Sequence, residues 1–369
     1  MTLLPTRSAL IRSCLTILLA MLASGCESTR FYSQAAKGQW ELITRKCSVE
    51  KLIDSPETEP RLKDRLLLTR DILRFAEEEL RLPHCGSYQK YTQLDRPYVV
   101  WNVYAAPEFS VEDKEWWYPF VGSLSYRGYF SRESAVRYAE RLEAKGFDVY
   151  VGGIAAYSTL GFFNDPLLST FIHDHPAELA ELIFHELAHS KKFKKSDTDF
   201  NEAFATAVAE EGARLWLKQR GDLTALRQYE TAKARQKQFV ELIIETKEQL
   251  ETLFVVSPKD PDTPLARDLR KKKAEVILAM KGRYLELKAS WDGYDGFDRW
   301  MSMEVNNAQI NTVTTYYELA PALTTLIRDS GSFAEFYERV ETISSLPEEQ
   351  RHDPAKWPSH DEIRITPAG

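Results

Sequence analysis

The sequence has no internal repeat, no low-complexity tract and, after its first 25 residues, no apolar run long enough to cross a membrane. It also lacks an excess of positive charge, since the formal net charge is −7 over 369 residues. This balance argues against nucleic acid as a main partner, because nucleic-acid binding depends on basic side chains that neutralise phosphates. A chain of this length can bury a full core and hold two subdomains.

The N-terminus carries a targeting signal. Arg7 and Arg12 form a basic region, and residues 13–25 are uncharged and mostly apolar, too short a run for a membrane-spanning helix, which predicts a signal peptide. The run ends in LASG followed by Cys26, which resembles the lipobox of bacterial lipoproteins, whose cysteine becomes the lipidated first residue. In Gram-negative lipoproteins an Asp directly after the cysteine favours retention at the inner membrane, and this chain has Glu27 there instead. The resemblance therefore implies a lipid anchor at the periplasmic face of the outer membrane. The alternative is an ordinary cleaved signal that leaves Cys26 as a free thiol.

Cysteine is scarce, and the targeting signal accounts for two of the four cysteines. Cys14 lies in the signal peptide and Cys26 in the lipobox. Cys47 and Cys85 remain, in an oxidising periplasm where disulfides form. We predict that they form a disulfide across a helix-rich segment; two buried free thiols are the alternative.

The pattern of apolar residues predicts an α+β fold that is mainly helical. Apolar residues at helical spacing predict helices in the N-terminal part, including one over 60–80. Residues 96–106 and 118–130 are rich in β-branched and aromatic residues and predict strands. Residues 147–163 predict strand again, divided in two by Gly152 and Gly153.

Two long helical patterns on either side of a Pro- and Asp-rich turn at 257–264 predict an antiparallel helical hairpin. The chain therefore divides into a signal peptide (1–25), an N-terminal helical region (26–96), a sheet and metal-binding region (97–220), the long helical hairpin (221–300) and a C-terminal helical region (301–369).

The strongest functional signal is the H-E-x-x-H motif from His185 to His189, on a predicted helix that begins near Pro176. Residues four apart lie on one helix face, so both imidazoles can bind one ion. Glu186 lies about 100° round the helix, beside that ion, where it can accept a proton from activated water and deliver it to the leaving amine. The alternative is a solvated helix face with two surface histidines.

A catalytic zinc takes three protein ligands and leaves one position open, so a third ligand is needed. The residues after His189 offer no further His, which excludes the metzincin arrangement. Gluzincins such as thermolysin take a Glu from a second helix, often in an Asn-Glu dipeptide, and here Asn201 and Glu202 begin a helical run. Glu202 is therefore the predicted third ligand. The alternative is a capping box between Asp199 and Glu202 at the helix start.

Three other residues near the motif, Glu210, His173 and His175, also have predicted roles. Glu210 lies two turns beyond Glu202, and the two cannot both reach one ion. We predict that Glu210 orients a histidine ligand or binds substrate, with Glu210 in place of Glu202 as third ligand the alternative. His173 and His175 form H-x-H before the motif helix. We predict a loop or N-cap role for them, with a metal role as the alternative.

Four segments of the chain resemble the family of bacterial predicted aminopeptidases, most of which are lipoproteins. The four segments are residues 156–171, 178–189, 197–212 and 306–323. The resemblance runs in order through most of the mature chain. It implies a zincin-like mixed sheet beside the H-E-x-x-H helix and a gluzincin-like site. In that site His185, His189 and Glu202 would bind one Zn²⁺, and Glu186 would be the base.

The resemblance also implies roles outside the motif. Tyr316 falls where the family has its tyrosine and would donate to the oxyanion, with Tyr317 or a merely packed aromatic as alternatives. The segment 153–160 precedes the motif where zinc aminopeptidases hold their substrate, so Ala155, Ala156 and Tyr157 are expected to pair with an extended peptide. Asn306 and Asn307 begin the segment that also holds Tyr316. For these two residues, substrate binding and bonding to backbone groups both stay open.

These observations predict a zinc-dependent peptidase, expected to be an aminopeptidase, that is anchored by an N-terminal lipid and acts on peptide substrates. The alternative belongs to another class. A non-catalytic periplasmic binding or assembly factor would hold a structural zinc, closed by His173 or His175, and would use the helical hairpin as its partner surface.

Overall fold

The fold is described from a computed structural model that covers residues 26–83, 86–118, 122–156, 164–192, 194–258, 260–317 and 319–358; for residues 26–29 and 315–317 only the backbone is described. The predicted signal peptide, Cys85 and Tyr157 lie outside the described residues. Cys47 is exposed. Because its proposed partner is not described, the disulfide between Cys47 and Cys85 stays a prediction.

The N-terminal part is mainly helical. Its elements are α1 (Cys26–Thr44), β1 (Cys47–Ser48), α2 (Val49–Asp54), α3 (Pro60–Glu78) and β2 (Lys90–Thr92). Pro60 occupies the first turn of α3, where a missing N–H leaves no hydrogen bond unmade. β2 pairs antiparallel with β1 and parallel with the later strand β8 (Leu167–Leu168), which gives a small sheet of three strands.

A second sheet of three strands lies in the middle of the chain. The elements of this region are β3 (Val100–Pro107), β4 (Trp116–Tyr118), β5 (Gly122–Leu124), β6 (Tyr126–Tyr129), α4 (Arg132–Glu143) and β7 (Phe147–Ile154). β3 is central and pairs antiparallel with β6 and β7, while β4 and β5 form a separate hairpin. Seven of the eight residues of β3 are buried, as its apolar sequence requires.

The predicted division of the third strand segment at Gly152 and Gly153 is wrong. β7 is continuous, and the two glycines pair with Asn102 and Trp101 of β3. At Gly153 an added Cβ would lie 2.4 Å from Cδ2 of Tyr98. Glycine is therefore present because an aromatic ring lies directly on the strand, and the backbone there remains extended.

The rest of the chain is helical. Its helices are α5 (Pro176–Lys191), α6 (Thr198–Gln219), α7 (Leu223–Leu253), α8 (Pro264–Ser290), α9 (Asp298–Met301), α10 (Asn307–Tyr317), α11 (Ala320–Asp329), α12 (Phe333–Ser345) and α13 (Glu348–Arg351), followed by a 3₁₀ turn (Pro354–Lys356). α7 and α8 pack against each other as a long hairpin. One large apolar core surrounds α5 and α6, and a second fills the hairpin and reaches α10.

Helix α6 lies in the centre of the first core and is buried on nearly every side from Phe200 to Ala209. Small residues make this possible, because alanine at alternate positions lets neighbouring helices approach closely. The approach is tightest at Gly212, where an added Cβ would lie 2.6 Å from Leu80 Cδ1 and 3.0 Å from Phe184 Cδ2. The sequence of α6 therefore fixes its position against α5 and α3.

The C-terminal segment fixes the start of α6. Asp197 is the N-cap residue, and its Oδ1 accepts a hydrogen bond from the Phe200 amide at 3.1 Å. The same carboxylate forms an ion pair with Arg351 and lies 2.9 Å from Nε2 of His352. The side chains of Asp197 and Arg351 are almost wholly buried, so each needs the other as a charge partner.

The contact with Asp197 gives His352 a pH-dependent contribution to stability. The hydrogen bond to Asp197 raises the pKa of His352 above its usual range, whereas the pKa of Asp197 is lowered by His352, with burial opposing. Asp197 is thus ionised throughout the neutral range. The stabilisation from charged His352 is complete below its unfolded pKa of about 6.5 and is lost as pH rises through its higher folded pKa.

We therefore expect His352→Gln to lower the free energy of unfolding more at pH 5.5 than at pH 9, as measured by urea denaturation at both values. His173→Gln is the matched control, because His173 is exposed and burial lowers rather than raises its pKa. It should show no larger loss at pH 5.5. Equal losses for His352→Gln at the two pH values would contradict this account.

Candidate metal centre

The two histidines of the motif face each other on one side of α5. His185 Nε2 and His189 Nε2 are 3.2 Å apart, and the ring planes meet at 86°. His189 is buried, with 6% of its side chain exposed, and the His185 side chain is 20% exposed. The alternative of two solvated surface histidines is therefore wrong.

Glu202 completes the group from α6. Its Oε2 lies 3.2 Å from His185 Nε2 and 3.5 Å from His189 Nε2. The capping-box alternative is wrong, because Asp197 rather than Asp199 caps α6 and the Glu202 carboxylate points at the histidines. Among the described residues, these three form the one group of His, Cys, Asp and Glu side chains with the spacing of metal ligands.

The distances within this group fit one tetrahedral ion. Two ligand atoms bound to zinc at 2.0–2.1 Å lie about 3.3–3.4 Å apart in a tetrahedral arrangement, and the observed separations are 3.2, 3.2 and 3.5 Å. The donors also match, since two imidazole nitrogens and one carboxylate oxygen are ordinary zinc ligands. Nδ1 of His189 is buried without a hydrogen-bond partner among the described residues, so Nε2 carries the polar contacts of that ring.

Electrostatics keep Glu202 anionic. Burial acts to raise the pKa of Glu202, but His189 and His185 outweigh it, and the pKa lies far below its usual range. Burial acts to lower the pKa of His189, but Glu202 more than offsets it and raises that pKa. A buried carboxylate with two nitrogen donors directed at the same point favours a cation there.

Glu186 lies next to this group without joining it. Its side chain is half-buried one position round α5 from His185. Burial raises the pKa of Glu186, His185 and His189 act to lower it, and Glu202 adds to the rise. A carboxyl group with a raised pKa beside a cation site suits proton transfer near neutral pH.

The connection between α5 and α6 is short and closed by Asn201. Its Oδ1 accepts from the Lys194 amide at 2.7 Å, and its Nδ2 donates to the Lys194 carbonyl at 2.8 Å. Ser196 in the same connection has φ of 60° and lies against Gly122 of β5. The asparagine before Glu202 therefore closes the loop that brings Glu202 back to the histidines.

Glu210 lies in an ion-pair network with Glu181 and Lys233. Lys233 Nζ of α7 lies 3.0 Å from Glu210 Oε1 and 2.5 Å from Oε1 of Glu181, which stands one turn before His185. Tyr229 donates to Glu181 at 2.6 Å. Burial raises the pKa of Glu210 against the opposing effect of Lys233, and His185 is close enough to act on it too. This network joins the helical hairpin to the motif helix, and the predicted orienting or substrate role of Glu210 stays a prediction.

The H-x-H histidines are not brought to the group. His175 is the N-cap residue of α5, and its side chain accepts from the Ala177 amide at 3.4 Å. His173 is exposed near Arg61 and Arg65. The N-cap role predicted for His175 is confirmed, and the metal role considered for both is not supported by their positions.

The remaining predicted residues are described only in part. The backbone of Tyr316 and Tyr317 lies in α10, which packs against α6, but their side chains lie outside the described part. Ala155 and Ala156 follow directly after β7, and the Ala155 carbonyl accepts from Thr170 at 2.5 Å. Their predicted contacts with substrate remain predictions.

The asparagines at the start of α10 bind backbone groups. Asn306 donates to the Val149 carbonyl of β7 at 2.9 Å, and Nδ2 of Asn307 lies 2.9–3.0 Å from three carbonyl oxygens, one on the last residue of β3 and two in the loop that follows. Asn311 holds the Val111 carbonyl in the same manner. Of the two roles that the sequence left open for Asn306 and Asn307, the structure shows backbone bonding. These side chains attach the start of α10 to β7 and to the loop that follows β3.

Sequence reasoning missed one tyrosine near the group. Burial raises the pKa of Tyr126 far above its usual range, and the nearby carboxylates of Glu202 and Glu186 add to the rise. Its ring also packs near Tyr104, with centroids 5.9 Å apart. Tyr126 begins β6, which the sequence showed only as an aromatic strand, and nothing in that pattern indicates that its hydroxyl lies within electrostatic range of Glu202 and Glu186.

One comparison with known proteins identifies a family. Residues 30–354 match the family model described as "Putative aminopeptidase". Comparison with curated proteins and with solved structures gives no match. Because the match covers most of the chain, including α5, α6 and their connection, the chain belongs to this aminopeptidase family.

Proposed function

We propose that the protein is a zinc-dependent peptidase, with aminopeptidase as the expected specificity. The observation that carries the proposal is the triangle of His185 Nε2, His189 Nε2 and Glu202 Oε2, whose sides match the separations of zinc ligands. Membership of the aminopeptidase family supports the peptidase part of the proposal.

His185, His189 and Glu202 would hold the ion. Bound there, zinc would act as a Lewis acid toward water and the peptide carbonyl. Glu186 would accept the proton of the attacking water and later deliver it to the amine of the leaving peptide. Its half-buried position and raised pKa support this role.

Hydrolysis also requires a donor for the oxyanion of the tetrahedral intermediate. Tyr316 is the candidate by resemblance. Tyr126 is a second candidate, because its hydroxyl stays protonated and lies within electrostatic range of Glu202 and Glu186. Either tyrosine would act by donating its hydroxyl proton in a hydrogen bond.

The proposal places the enzyme on a lipid anchor at Cys26, at the periplasmic face of the outer membrane. The support is the apolar leader and the small-residue stretch before Cys26. None of the described helices is long and apolar enough to cross a membrane.

The second candidate is a non-catalytic binding factor with a structural zinc. Structural zinc sites are closed by four protein ligands, whereas catalytic sites keep one position open. The described residues supply a group of three, with His173 and His175 elsewhere, which favours the catalytic candidate.

Substitution of Glu186 tests the chemistry separately from the metal. We expect Glu186→Gln to retain about one zinc per chain, because three ligands remain, and to lose roughly 10²- to 10⁴-fold in peptide hydrolysis. The measurements are metal analysis and turnover of a fluorogenic peptide. Glu178→Gln is the matched control, since Glu178 is exposed on the first turn of α5. Full activity of Glu186→Gln, or a wild-type protein without zinc, would contradict the proposal.

Digestion of a peptide library tests the aminopeptidase specificity. We expect mass spectrometry to show cleavage after the first residue alone, and acetylation of the peptide N-terminus to abolish it. Internal cleavage that is indifferent to acetylation would make the protein an endopeptidase. Absence of any cleavage, with zinc bound, would favour the binding factor.

A further inference from the structure

Helix α1 lies flat on the body of the protein through one face. Phe31 and Leu42 are buried on that face, and between them Gly38 lies directly on the ring of Phe130, where an added Cβ would come within 2.0 Å. Gln34 accepts a hydrogen bond from the Phe130 amide at 2.8 Å. At about 100° per residue, Phe31, Gly38 and Leu42 fall within about 40° of one another, which defines a narrow inner face.

The opposite side of α1 carries a second apolar stripe that is exposed. Tyr32, Trp40 and Ile43 are 53%, 68% and 42% exposed. With exposed Ala36 they follow the spacing i, i+4, i+8 and i+11, which places them within an arc of about 80°. A helix that packs by one face is expected to be polar on the other, so this outer stripe, formed by Tyr32, Ala36, Trp40 and Ile43, calls for a partner.

Basic side chains accompany the outer stripe. Arg30 and Lys37 are exposed, and in azimuth they lie about 80° and 60° beyond Trp40, on one flank of the outer stripe. The acidic residue of this part of α1, Glu41, is directed toward Arg45 and Arg96, with 2.8 Å between its Oε2 and Arg96 Nη1. The outer surface of α1 therefore combines aromatic and aliphatic side chains with positive charge.

We infer that the outer stripe of α1 binds a phospholipid surface. Tyr and Trp beside basic residues are the side chains that favour the interface between headgroups and acyl chains. Tyr32 lies six residues after Cys26, the proposed anchor point, so α1 is the first described element that a membrane holding the chain there would meet. A helix that lies flat on the body presents its whole outer stripe to that membrane.

The size of the outer stripe fits a membrane better than a second copy of the chain. From Tyr32 to Ile43 it is about 16 Å long, and a helix of about 10 Å diameter then offers far less than the roughly 800 Å² per partner of a stable protein interface. Weak insertion of a few side chains is sufficient on a membrane, because even one lipid chain anchors only marginally and a second contact adds to it.

Vesicle flotation tests the inference independently of peptidase activity and of the proposed N-terminal acyl group. The protein is the chain from residue 26 onward with Cys26→Ser, which contains every described residue but neither leader nor acyl group. We expect it to float with vesicles of phosphatidylethanolamine and phosphatidylglycerol, and Trp40→Glu with Ile43→Glu to reduce the bound fraction at least tenfold. Leu278→Glu is the matched control, since Leu278 is 71% exposed on α8 and lies outside the outer stripe; it should bind as the parent does.

Circular dichroism and zinc content confirm that the variants are folded, so that loss of flotation reports on the surface alone. No flotation of the parent protein, or equal flotation of the double variant, would overturn the inference. Sedimentation equilibrium gives the remaining outcome: a dimer that Trp40→Glu dissociates would assign the outer stripe to a second copy and would also overturn it. A protein that floats as expected but cleaves no peptide would leave this inference standing while the proposed function fails.

Discussion

The structure depends on bringing one carboxylate of α6 to two imidazoles of α5 inside the protein. A buried anion is costly unless it is paired, and here Glu202 is paired with His185 and His189 at 3.2 and 3.5 Å. Much of the surrounding structure serves that contact. Alanine-rich packing lets α6 lie close to α5, Asn201 closes the loop between them, and the buried pair of Asp197 and Arg351 fixes where α6 begins.

Helix α7 contributes to both apolar cores, through Tyr229 to the first and Phe239 to the second. The first holds α5 and α6, and the second holds the helical hairpin. Lys233 bridges them by pairing with Glu181 and Glu210 beside His185. The hairpin is thus connected to the motif helix by charge as well as by apolar packing. The helices that carry the proposed catalytic group are thus held both by their own core and by the hairpin, which gives the rigidity that positioning a metal and a base requires.

The helices and the histidine pair could be predicted because both follow from local spacing: Pro60 and Ser131 begin helices where their chemistry places them, and His185 and His189 are four residues apart. Features that depend on distant residues could not be predicted. The competition between ligand and cap at Glu202 is decided by Asp197, whose partner Arg351 is 154 residues away. Likewise Gly153 of β7 is required by the ring of Tyr98, which lies on another part of the chain. The electrostatic link between Tyr126 and the carboxylates of Glu202 and Glu186 also depends on tertiary packing, which the sequence of β6 does not indicate.

Anomalous diffraction at the zinc absorption edge, from crystals of the purified protein, tests the central claim most directly. The account predicts one peak at about 2.0–2.1 Å from His185 Nε2, His189 Nε2 and an oxygen of Glu202, with no fourth protein ligand. A peak closed by a fourth side chain, or no peak between these three residues, would contradict it.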